Sequence, residues 1–205
     1  MSRQQRAPVI SRQRAKAREF TANRAEAEGA SQPRKRDLPL AASSYEQPHF
    51  TAMRVLRFIG LILAVLTFAP AFGHLAEMPN KMALGGQAWY AAQFLYRDWG
   101  AFLGPIEAGT LVVSAWLLWR ARGRQPAFTL TAIAVACYIG MQICFWLFNA
   151  PVNAAVASWT ASALPPDWAE YRARWEWSHS VRAVLAFVAL VCLLRAALGE
   201  AEGNA

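Results

Sequence analysis

The chain has 205 residues, enough for one domain and a tail. It is 56% hydrophobic, carries nine tryptophans and is only 17% charged, which is too apolar for an ordinary soluble domain. The net charge of +8 would suit nucleic acid, but twelve of the 21 Lys and Arg lie within residues 1–57, ahead of the apolar region. A cationic segment beside apolar spans is a topology signal or a contact with anionic lipid, so membrane lipid is the expected partner and nucleic acid is not.

Residues 1–52 are rich in Arg, Gln, Ala, Ser, Glu and Pro and poor in large apolar side chains. They are expected to form a disordered basic tail. Met53-Arg54-Val55-Leu56-Arg57 looks like a natural start, so the tail is read as an upstream extension without functional role. Residues 53–199 are expected to be an all-α, four-span membrane domain. The spans are placed at about 55–77, with an interruption at Pro70, then 100–119, 127–148 and 178–198. A rival reading takes Phe58 to Ala71 as a cleaved signal peptide, which would leave three spans. Arg54 and Arg57 precede the first span, Arg120, Arg122 and Arg124 join the second to the third, and Arg195 lies near the end of the fourth. The positive-inside rule makes that side cytoplasmic, with both termini there, in a multi-pass protein of the inner membrane.

The two outward connections carry their own pattern. Gln87 to Tyr96 and Pro151 to Leu164 read as short amphipathic helices. Pro165-Pro166-Asp167 opens a helix that runs into the fourth span, with Trp168, Arg172, Trp175, His179 and Arg182 on one stripe. Cys137, Cys144 and Cys192 fall in apolar runs without metal-type spacing and are read as buried hydrophobes.

Two mirrored pairs, His74-x-x-Glu77 and Glu176-x-x-His179, each set an imidazole and a carboxylate on one helix face. The topology brings both pairs to the outer surface, with Asn149, Asn153, Gln93, Tyr96, Lys81 and Arg182. Glu107 lies about a third of the way into the second span and is expected to be a paired buried carboxylate. Lys81 is expected to be an interface anchor. Ionisable groups at such depth mark a site. Three roles are open. His74, Glu77, Glu176 and His179 could ligate a divalent metal. His179 could be a general base tuned by Glu176 and Arg182, with Asn149 and Asn153 donating to an oxyanion. The same groups could instead pair with one another and pin the bundle.

The run Trp146-Leu-Phe-Asn149-Ala-Pro151-Val-Asn153, then Trp159, then Arg172-x-x-Trp175-Glu176-x-x-His179-x-x-Arg182, resembles the anthrone oxygenase-like integral membrane family. His74-Leu-Ala-Glu77-Met-Pro79-Asn80-Lys81 resembles the end of the first span in a bacterial subgroup, so the resemblance covers about Leu56 to Leu198. It implies a four-span protein and a monooxygenase that uses dioxygen on an aromatic or quinone-like compound, with no flavin or metal. Carried onto this chain, His179 would be the base, and Arg182, Asn149 and Asn153 would hold the anionic oxygen. Trp146 or Trp175 would stack on the ring, beside Tyr96 and Gln93. The His74/Glu77 pair departs from the anthrone-oxidising members and keeps a metal or another ligand open. A non-enzymatic structural or ligand-binding membrane protein is the alternative.

Overall fold

The computed structural model describes the backbone of residues 47–202 and the side chains of residues 52–199. Most of the expected tail therefore lies outside the described residues. Helix α1 spans Gln47–Ala83. Helix α2, Gly86–Gln93, runs into a 3-10 turn at Phe94–Tyr96. Helix α3 is Trp99–Arg120. Helix α4, Ala127–Cys144, passes through a π-helical turn at Phe145–Asn149 into α5, Ala150–Ala157. Helix α6 is Trp168–Glu202. No strand occurs among the described residues.

Four segments are long and apolar enough to cross a membrane: Ala52–Ala83, Trp99–Arg120, Ala127–Ala157 and Trp168–Gly199. In hydrocarbon every backbone N–H and C=O needs an internal partner, so such runs form helices whatever their local propensity. Val55, Phe58, Ile62, Val65 and Leu66 on α1, and Val181, Val184 and Phe187 on α6, are exposed along the outside of the bundle. They suit a lipid-facing surface.

Three boundaries differ from the sequence reading. The first span does not end at Glu77, because α1 passes both Pro70 and Pro79 and stops only at Ala83. A proline removes one i−4 hydrogen bond, but the rest of a helix held in a bundle persists. The third span likewise passes Phe148. Pro151 has no N–H for the Leu147 carbonyl, and the wider turn immediately before it takes up the mismatch. The short helix expected over Pro151 to Leu164 ends at Ala157, and an irregular segment with a single Thr160–Ala163 bridge follows. Helix α6 runs unbroken from Trp168, as its stripe suggested.

Packing is tightest around Ala64 of α1, Ala134, Tyr138 and Met141 of α4, and Ala186, Ala189 and Leu193 of α6. Small residues let backbones approach closely where lipid supplies no hydrophobic drive between helices. Helix α1 is tied to α3 by Thr67 Oγ1 and Thr110 Oγ1, 2.8 Å apart. Cys144 and Cys192 are buried and all three thiols are free. At one end Arg57 and Arg124 line a shared small pocket with Ala121 and Ala196. There the α3–α4 turn needs Gly123 at φ 79°, a backbone that other residues adopt poorly. The polar residues singled out above gather at the opposite end.

Candidate functional site

Extending α1 past Glu77 places His74, Glu77 and Lys81 on one face, at spacings of three and four. Lys81 is buried, at 5% exposure, and is not the interface anchor expected from its position near a span end. Its ammonium sits between carboxylates from two helices, 3.2 Å from Glu176 and 3.4 Å from Glu77. It also lies 3.4 Å from His74 Nδ1 and over the rings of Trp175 and Tyr96, 4.7 and 5.1 Å from their centroids. Glu176 is fully buried and accepts a hydrogen bond from Trp89 Nε1 at 3.1 Å. Its carboxylate thus faces Lys81 and Trp89 rather than His179. The Tyr96 hydroxyl donates to Glu77 at 2.5 Å. Burial first, and that hydrogen bond second, push the Tyr96 phenol above its ordinary value, so it remains a donor.

The two imidazoles are neighbours. His74 and His179 have ring centroids 4.4 Å apart, and Trp175 stacks 3.9 Å from His179 and meets His74 edge-on at 5.0 Å. His179 Nδ1 lies 2.9 Å from the Trp175 carbonyl and 2.6 Å from the Asn149 amide, which also contacts the Ser178 hydroxyl at 2.6 Å. Asn149 is fully buried behind His179, so it fixes the imidazole instead of facing open space. The π turn that ends at Asn149 is what turns this side chain inward. One turn deeper, Arg182 Nη2 donates to Glu107 at 2.5 Å, and Gln142 Nε2 donates to the other carboxylate oxygen at 3.0 Å. Glu107 is the paired carboxylate expected of it.

A cavity of about 700 Å³ opens against this cluster. His74, His179, Arg182 and Glu107 contribute polar groups, and Tyr90, Tyr96, Trp99, Phe145 and Trp175 contribute ring faces. Gly104 of α3 lines it with open space where a Cβ would be. Helix α2 caps the site. Gly86 packs so closely that a Cβ would lie 2.9 Å from the Trp168 ring, Arg172 donates to the Leu84 carbonyl, and the Tyr90 hydroxyl donates to the Trp159 carbonyl at 2.7 Å.

Of the residues named from sequence, His74, His179, Arg182, Tyr96, Trp175, Gln93, Asn153 and Trp146 line the cavity, while Glu77, Glu176 and Asn149 support it from behind. Asn153 Oδ1 accepts from Trp175 Nε1 at 2.9 Å, which holds the indole in place. Trp146 is 68% exposed and sits at the rim. Three of the four residues proposed as metal ligands, His74, Glu77 and Glu176, are organised around the Lys81 ammonium, and among the described residues no group of three or more His, Cys, Asp and Glu is disposed to hold a metal ion. Sequence reasoning missed the roles of Lys81, Trp89, Ser178 and Gln142. Lys81 was findable, because it repeats the His74 face two turns on, but the first span was placed only as far as Glu77.

Residues 92–192 match the family model described as Anthrone oxygenase. The match is narrower than the resemblance drawn from the motifs, since it leaves out α1 and with it His74, Glu77 and Lys81. No curated protein and no solved structure was found to match. With four apolar helices long enough to span a bilayer and this match over the last three of them, the chain is a membrane protein with an anthrone oxygenase-like domain.

Proposed function

We propose that the protein is a monooxygenase acting on an anthrone-like aromatic ketone, with the cavity beside His179 as its active site. One observation carries this reading: a cavity of about 700 Å³, walled by aromatic rings, converges on an imidazole held from behind. That volume lies within the range of small-molecule sites, and the flat walls suit a fused-ring compound. Nδ1 of His179 is engaged by Trp175 and Asn149, so Nε2 is the atom available to a substrate.

In the proposed chemistry His179 removes one proton from a ring methylene, and the electron pair delocalises into the conjugated ketone. The carbanion reacts with dioxygen to a hydroperoxide, which loses water to leave a new carbonyl. Overall, methylene and dioxygen give ketone and water, with no outside reductant. Arg182, neutralised by Glu107, supplies a donor deeper in the cavity. Trp175, buried against His179 and Lys81, holds the base in place, and Trp146 at the rim is the entrance. The arginine end is assigned to the cytoplasm with both termini, in the inner membrane, and the cavity opens toward the opposite face.

Purified protein in detergent, given anthrone and dioxygen, is expected to form anthraquinone, and His179→Ala to lower the rate by about 10²–10⁴. Equal rates in the two proteins would overturn the role of His179. A rate no higher than without protein, combined with tight anthrone binding, would leave a ligand-binding protein. The reaction calls for no metal. Stoichiometric metal in the native protein that is lost in His74→Ala would replace this reading with the metal-binding one.

A further inference from the structure

His74 lies outside the matched region and against the cavity, and the reaction above gives it no task. Its surroundings fix its proton. An ammonium only donates hydrogen bonds, and the Lys81 ammonium, 3.4 Å from His74 Nδ1, is directed there while its other near contacts are the carboxylates of Glu77 and Glu176. Nδ1 must therefore present a lone pair, and a neutral imidazole then carries its hydrogen on Nε2. His179 is set the other way. The Trp175 carbonyl, 2.9 Å from His179 Nδ1, only accepts, so that nitrogen carries the hydrogen. Asn149 Nδ2 lies 2.6 Å from the same nitrogen, and Asn149 Oδ1 has no partner among the described residues. Because the Trp175 carbonyl claims the hydrogen, the amide is assigned the turned-over orientation, with its oxygen on that N–H and a lone pair left on His179 Nε2.

We infer that the two imidazoles are held in opposite tautomers, and that His74 Nε2–H is the donor to the substrate's ketone oxygen while His179 Nε2 faces its acidic hydrogen. With centroids 4.4 Å apart, both rings can engage one six-membered ring of a bound molecule. The substrate class follows: an aromatic compound that carries a carbonyl oxygen and an acidic hydrogen on the same ring. When the carbon-bound proton moves to His179, the electron pair shifts to that oxygen, and the His74 donor meets the charge where it develops. Lys81 is a positioning residue for His74, and its own charge is balanced by Glu77 and Glu176. The assignment of donor and base rests on the proposed function; the tautomers do not.

The test is NMR of protein labelled with heavy nitrogen in histidine, in which bare and protonated ring nitrogens are resolved, with His74→Gln to assign the signals. His74 is expected as the Nε2–H form and His179 as the Nδ1–H form. Lys81→Met is expected to release His74 into a mixture of tautomers. The reverse tautomer at either residue in the wild-type protein would overturn the inference, whether or not the protein oxidises anthrone. Binding supplies a second readout: anthrone is compared with dihydroanthracene, which lacks the oxygen. The preference for anthrone is expected to fall about tenfold in His74→Phe and to be largely kept in His74→Gln, whose amide can still donate. An unchanged preference in His74→Phe would remove the donor role even if the tautomers stand.

Discussion

Along one half of the bundle α1, α4 and α6 meet through Ala64, Ala134, Ala186 and Ala189. At the histidine end the same three helices and α3 are held by charge and aromatic rings, and they leave a cavity of about 700 Å³. Small side chains let helices close on each other. Large rings and ion pairs hold them apart at set distances, and Gly104 leaves part of the space between them empty. The contrast teaches where polar groups belong in a protein of this kind. A lysine between two carboxylates and an arginine on a third are costly in an apolar setting. They are accommodated only where packing has already been given up for a binding space.

The sharpest way to break the comparison is to remove one charge from the histidine end. Glu107→Ala leaves Arg182 without its carboxylate and is expected to destabilise the protein by about 3–5 kcal/mol in detergent unfolding. The double variant Glu107→Leu, Arg182→Met should lose clearly less than the sum of the single changes. Lys81→Met strands Glu176, which is fully buried, and is expected to lose about 3 kcal/mol. Adding Glu176→Gln should restore part of that, because the amide removes the orphaned charge. In the packed half the response is steric: Ala186→Leu, at a position with no exposure, should cost about 1–3 kcal/mol through overpacking and leave anthrone binding unchanged. The smallest effect is expected for Tyr96→Phe, which loses one hydrogen bond to Glu77, worth about 1 kcal/mol. Because the Tyr96 phenol is pushed up, it should keep its proton as pH rises past roughly 10, where an ordinary tyrosine ionises. Absorbance titration should then show the same early tyrosinate signal in wild type and Tyr96→Phe; a loss of that signal in the variant would contradict the raised phenol.

The four-helix plan was legible because spans of apolar residues leave the backbone few choices, and the arginines at 54, 57, 120, 122 and 124 marked one end. Helix ends inside apolar sequence were not. Pro70 reads as an interruption and Pro151 as a helix start, yet the helices run past both, and past Pro79. The convergence of His74 with His179 was visible from topology, as was the stripe from Trp168 to Arg182. Which side of each residue faces the cavity was not visible. Glu176 and His179 share a helix face at three-residue spacing, but one turns to Lys81 and the other to Asn149. That choice depends on Trp89 and on a π turn, and neither has a sequence signature of its own.

The central claim, that the cavity at the histidine end is where the protein meets its substrate, is tested most directly by filling it. Gly104 lines the cavity, and a Cβ added there meets nothing within 4 Å, so Gly104→Trp is the variant chosen to place an indole at that wall. Titration of tryptophan fluorescence with anthraquinone should show one ligand bound per wild-type chain and none in Gly104→Trp, with helix content and thermal unfolding unchanged. Undiminished binding in the filled variant would place the ligand elsewhere and contradict the account.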